Sequence, residues 1–280
     1  MGESKKLCLS PKTLDDVVIK DGLEAVTVLN GKEPYFLVGG IATQSYLPTR
    51  CRRPTSDIDF ALVRPLSKPD FRQMISPVQE FLHDMGYKSS LKVANASRSY
   101  PLYFWKPEKD CDVSCIEFVR RNREKFQEHE PRLKREYENS KQKIVEGRKA
   151  ICLVCSPEDI AIPKLVRSIN SLGRNPGFID LIPSRLEPLS EKEIGETIEI
   201  LNQFRVEAMT NPGDPYLAER LRFVSDIYDM RILSEITGFN KDYFAKAKQD
   251  WRDIVEHPDT ENKILRVALP MFLEDQRIPI

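Results

Sequence analysis

The fold of this chain is decided by two stretches of sequence, Phe36-Leu-Val-Gly-Gly-Ile-Ala42 and Arg52-Arg-Pro-Thr-Ser-Asp-Ile-Asp-Phe-Ala-Leu62. Each contains an apolar run, and the two runs predict β-strands over 35–39 and 57–63. The first run ends in two glycines, and the second contains two aspartates separated by one residue. Together the stretches predict two strands that carry a glycine pair and an acidic pair into one polar site.

The acidic pair, Asp57 and Asp59, is a candidate metal site. Because side chains alternate across a strand, the two aspartates are predicted to point the same way while Ile58 and Phe60 point into the core. Two neighbouring carboxylates repel each other, and a bound divalent cation removes that repulsion. Hard oxygen ligands suit magnesium, so the pair predicts an Mg²⁺ site. The alternative is a surface Asp-x-Asp without a ligand.

The glycine pair, Gly39 and Gly40, is a candidate phosphate site. Glycine lets backbone amides approach a ligand closely, and a helix starting near Ile41 would direct its free N–H groups at an anion. Arg53 and Ser56 lie just before the acidic strand and belong to the predicted phosphate-binding set, because a cation such as Arg53 beside a magnesium–triphosphate site stabilises its charge. A tight turn with no ligand is the alternative.

The order of these motifs resembles a known family. Gly-Gly, a spacer and Asp-x-Asp are the signature of the nucleotidyltransferase fold shared with DNA polymerase β. The fuller string over 35–63 resembles the AbiEii/AbiGii branch, the toxins of type IV toxin–antitoxin and abortive-infection systems. The resemblance implies an α+β fold with a mixed-sheet nucleotidyltransferase core and a C-terminal helical region. The spacer over 41–56 is long for the family and predicts a longer loop before the acidic strand.

The resemblance also implies a third carboxylate on a neighbouring strand. Asp112 is the preferred candidate, because it and Ser114 lie on one face of a strand predicted over 112–119. Glu117 is the rival, and Asp110 is a more distant third. Asp57, Asp59 and Asp112 are therefore the predicted metal ligands and catalytic carboxylates.

The second half of the chain is predicted to be mainly helical, with a core domain over 1–149 and a helical region over 150–280 packed on it. The resemblance implies an active-site lysine in the helix that starts at Ser156-Pro-Glu-Asp, and Lys164 matches it. We predict that the Lys164 ammonium contacts a phosphate of the bound nucleotide. The family places an acidic partner in a segment like Asp226-Ile-Tyr-Asp, so Asp226 is favoured. Asp180 is nearer in sequence and remains the alternative.

Composition is that of a globular protein: the chain has 280 residues, of which 40% are hydrophobic and 31% charged. Its 43 basic and 43 acidic residues give a formal net charge of zero, so no global field attracts nucleic acid. No apolar run approaches the roughly 18 residues of a membrane span, and no apolar segment of a secretory signal follows Met1-Gly-Glu-Ser-Lys-Lys. We expect a cytoplasmic protein without membrane contact. Mixed charges over 134–149 predict a solvated helix.

The cysteines are predicted to be buried thiols rather than zinc ligands. In the strands predicted around them, residues three apart face opposite sides, so Cys152 and Cys155 would not chelate one ion without a bend. Free cysteine is common in protein cores. The full set is Cys8, Cys51, Cys111, Cys115, Cys152 and Cys155.

The function implied by the resemblance is magnesium-dependent transfer of a nucleoside monophosphate from a nucleoside triphosphate (NTP). It implies an RNA acceptor such as tRNA and a cognate antitoxin as partner. Two alternatives stay open: a small-molecule acceptor, as in aminoglycoside nucleotidyltransferases, and a module that binds nucleotide or RNA without chemistry.

Overall fold

The computed structural model describes residues 9–92, 99–108, 112–119, 121–182 and 188–272. Within these ranges no helix combines the length and the apolar character needed to cross a membrane.

Two compact units make up the chain. The sheet unit comprises 1–45 and 54–156, and the helical unit comprises 46–53 and 157–280. The short segment that precedes the acidic strand therefore belongs with the C-terminal helices, although it interrupts the sheet unit in sequence.

The sheet unit is built on a seven-stranded mixed sheet. Its strands are β1 Tyr35–Val38, β2 Ile58–Leu62, β3 Lys88–Leu91, β4 Ser99–Trp105, β5 Ser114–Val119, β6 Lys141–Ile144 and β7 Ile151–Val154. Their spatial order is β3-β4-β5-β2-β1-β7-β6. The β2–β5 and β1–β7 pairs are parallel and the remaining pairs are antiparallel. The predicted fold class, an α+β chain with a mixed-sheet core followed by helices, is confirmed.

Helices complete both units. In the sheet unit they are α1 Val17–Val26, α2 Gly39–Gln44, α3 Lys68–Asp84, α4 Arg123–Gln127 and α5 Glu130–Glu138. In the helical unit they are α6 Pro157–Arg174, α7 Glu191–Thr210, α8 Pro215–Thr237, α9 Lys241–Lys248 and α10 Glu261–Ala268. Short 3-10 segments lie at Thr27–Leu29, Thr49–Cys51, Pro176–Leu181, Gln249–Ile254, Pro258–Thr260 and Pro270–Phe272.

One face of the sheet carries the core of the sheet unit. Phe60 of β2 and Phe118 of β5 are fully buried and stack with ring centroids 5.1 Å apart. Phe71 of α3 packs edge-on against Phe118 at 6.1 Å, which places α3 over this face. A Cβ on Gly22 of α1 would lie only 2.8 Å from Ile58, so α1 also approaches the sheet closely. Each ring buries roughly 150–250 Å² and adds about 0.5–1.5 kcal/mol through ring geometry, so these contacts contribute strongly to the stability of the sheet unit.

The helical unit has its own core around α6 and α8. Phe178 and Phe223 are fully buried with ring centroids 5.3 Å apart, and the rings of Phe244 and Phe272 lie 4.6 Å apart. Ser190 begins α7 with a capping box that satisfies free N–H groups of its first turn. The helical unit therefore has a hydrophobic core of its own, and the capping box stabilises the start of α7.

The predicted helix over 134–149 is wrong in its second half. Helix α5 ends at Glu138, and β6 and β7 form an antiparallel hairpin in which Ile144 pairs with Ile151. The turn between them contains Gly147 with φ of 73°, a conformation that glycine adopts without strain. The mixed charges over 134–149 are compatible with a helix or with an edge strand, and residues 141–144 form a strand because they pair with β7.

Candidate metal and nucleotide site

Three carboxylates meet at one end of the parallel β2–β5 pair. Asp57 lies directly before β2, Asp59 lies within it, and Glu117 of β5 is paired with Asp59. One ligand oxygen from each lies within 4.8 Å of the others, and all three residues are partly exposed. Ile58 and Phe60 are fully buried on the opposite face, as the alternation predicts. We call the sheet face that carries Asp59 and Glu117 the polar face.

The carboxylate that lies beside Asp57 and Asp59 is that of Glu117, the rival candidate, and not that of Asp112. Asp112 precedes β5 and forms an ion pair with the buried Lys12 at 2.5 Å, and it also accepts a short hydrogen bond from Ser10. The physical reason is strand parity: positions five residues apart point to opposite faces, so Asp112 and Glu117 do not share the polar face. Asp110 lies outside the described residues.

The glycine pair is positioned against the acidic residues. Gly39 opens α2 with φ of 74°, and a Cβ there would overlap the Asp59 carboxylate. A Cβ on Gly40 would lie 2.9 Å from the hydroxyl of Thr55. Both positions therefore require glycine for close approach, and Gly39 requires it for its backbone conformation as well.

Thr55 links these groups together. Its hydroxyl donates to Asp57 Oδ1 at 3.3 Å, and its backbone exchanges two hydrogen bonds of 2.8 Å with Lys12. Thr55 is thus held by the N-terminal segment and in turn orients Asp57. Ser56 is partly exposed between Thr55 and Asp57.

Replacing Gly39 by alanine is expected to cost more than replacing Gly31, which has the same φ of 74° but has open space around it. The Gly31→Ala variant reports the backbone penalty alone, about 1–2 kcal/mol. Gly39→Ala adds the overlap with Asp59 and displaces a carboxylate of the site. Urea denaturation of both variants measures the difference in the free energy of unfolding. Equal losses in the two would show that Asp59 moves aside without cost.

A second cluster of charged residues lies inside the helical unit, between α6 and α8. The Lys164 ammonium is buried and lies 2.8 Å from Asp229 Oδ2 and 3.3 Å from Asp226 Oδ1. Arg53 forms a bidentate pair with Asp229 at 2.7 and 2.6 Å, and Arg167 forms one with Asp226 at 2.9 and 2.9 Å. Three cations thus surround two carboxylates. We call these five residues the ion network.

The network holds both carboxylates in their ionised form. Burial raises the pKa of Asp226, but the charges of Arg167 and Lys164 outweigh burial, so the pKa lies below its ordinary value. For Asp229, burial is likewise outweighed by Arg53 and Lys164, and its pKa is also lowered.

Two residues of the network, besides Lys164, had a predicted role: Asp226 as the partner of Lys164 and Arg53 as a phosphate ligand. The structure places Asp226 beside Lys164, whereas Asp180 is exposed in a 3-10 segment. Arg53, which the sequence assigned to phosphate binding, is buried on Asp229. Asp229 and Arg167 had no predicted role. The signal that could have found Arg167 is its spacing of three from Lys164, which matches the spacing of the two aspartates and puts each pair on one helix face.

The described cysteines are buried and form no disulfide, namely Cys51, Cys115, Cys152 and Cys155. Burial raises the pKa of the Cys152 thiol to about 12. Burial also raises the pKa of Cys115, and the neighbouring Glu117 adds to the effect. Cys8 and Cys111 lie outside the described residues.

Comparisons with known proteins give only distant likenesses. No protein-family model and no curated protein matches the chain. One similar solved structure is an antigenic nucleotidyltransferase-like protein from Paracoccidioides brasiliensis, with a TM-score of 0.40, 11% identity and coverage of 92% of this chain and 95% of that one. Another is terminal uridylyl transferase 4 from Trypanosoma brucei with bound dUTP, with a TM-score of 0.25, 9% identity and coverage of 82% and 71%. At scores this low, neither likeness bears on the activity of this chain.

Proposed function

We propose that this chain is a nucleotidyltransferase that moves a nucleoside monophosphate from an NTP to an acceptor hydroxyl. The observation that carries the proposal is that carboxylate oxygens of Asp57, Asp59 and Glu117 lie within 4.8 Å of one another. They lie beside Gly39, where any side chain would overlap the Asp59 carboxylate. Three carboxylate oxygens are the hard donor set that Mg²⁺ prefers, and partial exposure leaves room for substrate oxygens as further ligands. When bound, Mg²⁺ supplies charge stabilisation at the phosphates.

The residues of the chain position the reactants. Backbone N–H groups at Gly39 and Gly40, with Ser56, are proposed to bind the triphosphate, where hydrogen-bond donors stabilise the charge that develops during transfer. The acceptor hydroxyl attacks the α-phosphorus and releases its proton to solvent, the bond from the α-phosphorus to the bridging oxygen of the β-phosphate breaks, and pyrophosphate leaves. Thr55 keeps Asp57 in place through its hydroxyl. Contact of Arg53 and Lys164 with phosphate stays a prediction.

The finer proposal is that the acceptor is RNA, such as a tRNA end, and that the protein is the cytoplasmic toxin of a toxin–antitoxin or abortive-infection system with a cognate antitoxin. Its support is the order of the motifs over 35–63, which resembles the AbiEii/AbiGii toxins. That the protein requires no zinc stays a prediction.

The decisive experiment incubates the protein with Mg²⁺, total RNA and each NTP labelled at the α-phosphate. We expect label in RNA and release of pyrophosphate, and loss of both with EDTA or in Glu117→Gln. Asp112→Asn is the matched control, since its carboxylate lies outside the cluster, and should retain activity. Label in low-molecular-weight material would favour the small-molecule acceptor. Nucleotide binding without pyrophosphate release would contradict the proposed catalysis.

A further inference from the structure

The polar face continues from the carboxylates onto β4, where it carries two aromatic side chains. In the antiparallel β4–β5 pair, Pro101 is opposite Glu117 and Tyr103 is opposite Cys115. Trp105 follows two residues later and lies on the same face. Tyr103 and Trp105 are both partly exposed.

These aromatic residues are not needed to fill the core. The alternate residues of β4, Tyr100, Leu102 and Phe104, are fully buried on the other face and complete the packing there. Large aromatic rings left partly in contact with water beside a polar site are typical of surfaces that bind ligands by stacking.

The neighbouring edge strand, β3, adds positive charge to the same face. Lys88 is paired with Trp105, and Ser90 is paired with Tyr103. Lys92 follows β3, and its Nζ lies 5.0 Å from the centre of the Tyr103 ring. Lys88 and Lys92 are exposed. The two lysines of the β3 segment thus lie beside the two aromatic rings of β4.

The spacing of the rings suits a polynucleotide. Residues two apart on an antiparallel strand are separated by about 7 Å, which is twice the rise of about 3.4 Å between stacked bases. Glu117 and Tyr103 are diagonal neighbours, which places them about 7–8 Å apart. A nucleotide stacked on Tyr103 would therefore present its terminal hydroxyl close to the carboxylates.

We propose that Tyr103, Trp105, Lys88 and Lys92 form a stacking platform that binds the single-stranded end of the acceptor RNA, an inference that rests on the proposed function. The rings stack on base faces, which a duplex hides, and the lysines contact the phosphates. A local platform of this kind supplies the attraction for a polyanion that the zero net charge of the chain does not.

The test is direct binding of a single-stranded RNA oligomer of about ten nucleotides, in EDTA and without NTP, so that binding is measured apart from catalysis. The chain has two tryptophans, so Trp251→Phe leaves Trp105 as the only one. We expect RNA to quench the fluorescence of this variant. Tyr103→Ala should weaken binding at least about tenfold, and Tyr103→Phe should restore it, because stacking needs the ring and not the hydroxyl. Lys92→Ala should lower the log–log salt slope by about 0.7.

Two matched controls come from outside the platform. Tyr216→Ala removes an exposed tyrosine of α8, and Lys141→Ala removes an exposed lysine of the other edge strand, β6; neither should change RNA binding.

The platform would be overturned by any of three results: no quenching of Trp105 fluorescence by RNA, unchanged affinity in Tyr103→Ala, or equally tight binding of duplex RNA. Binding of the matching DNA oligomer alone would overturn its assignment to RNA. RNA binding at the platform without transfer activity would contradict the proposed function but not the platform. Transfer to RNA with an unchanged KM for RNA in Tyr103→Ala would support the proposed function and contradict the platform.

Discussion

Asparagine at position 57 or 59 is expected to abolish nucleotidyl transfer without unfolding the protein. Three carboxylates lie within 4.8 Å of one another, so removing one charge removes repulsion in the metal-free protein. The hydroxyl of Thr55 can still donate to the oxygen of an asparagine at 57, which keeps the side chain in place. We expect turnover to fall at least about a thousandfold, about 4 kcal/mol, because metal-held charge stabilisation contributes several kcal/mol to such reactions.

Thermal unfolding measured with and without Mg²⁺ separates the metal site from the fold. Without Mg²⁺, the melting temperature of Asp57→Asn and Asp59→Asn should equal or exceed that of the wild type. Added Mg²⁺ should stabilise the wild type, as any ligand of the native state does, and should stabilise the variants far less. Asp112→Asn should keep the wild-type response to Mg²⁺. Full transfer activity in Asp57→Asn, or loss of activity in Asp112→Asn but not in Glu117→Gln, would refute the assignment.

The parts of the site that could be predicted are those fixed by local geometry. Asp57 and Asp59 share a direction because strand residues alternate, and no knowledge of neighbouring strands is required. The need for glycine at Gly39 follows from a turn that starts a helix directly after a strand. The buried face formed by Ile58 and Phe60 follows from the same alternation. Each of these inferences uses only residues close together in sequence.

The parts that could not be predicted depend on pairing between distant segments. Glu117 joins the site because β5 pairs with β2 in the register that puts it beside Asp59. That register is set by core contacts such as the stacking of the Phe60 and Phe118 rings. The alternation of residues over 112–119 alone does not predict it. Arg53 reaches Asp229 across 176 residues of sequence, and no local pattern signals such a pair. Platform residues of β3 and β4 become neighbours of the carboxylates for the same reason.

Replacing Lys164 is expected to lower the free energy of unfolding as well as the turnover rate. Its ammonium is buried between Asp226 and Asp229, and loss of one partner of a buried ion pair costs about 3–5 kcal/mol. Because the pKa values of both aspartates are lowered in the folded state, the stability that they contribute is present above their unfolded pKa of about 4 and is lost as pH falls below it. Urea denaturation of the wild type at pH 7 and at pH 3–4 should show this loss. In Lys164→Met the loss should be smaller and should be complete at a higher pH, since a cation that lowers both folded-state pKa values is gone.

A compensated variant separates the two effects of Lys164. In Lys164→Met/Asp226→Asn the bidentate pair of Arg53 and Asp229 stays intact, and Arg167, whose side chain is 47% exposed, can be solvated. One positive and one negative charge are removed together, so most of the lost stability should return. If Lys164 also contacts a phosphate of the nucleotide, turnover in this stable variant should remain well over tenfold below the wild type, about 2–4 kcal/mol by analogy with other transition-state donors. Lys141→Ala, on an exposed edge strand, should be neutral in both measurements. Recovery of turnover together with stability would limit Lys164 to holding α6 against α8, because only a contact made in the transition state lowers the rate of a variant that folds normally.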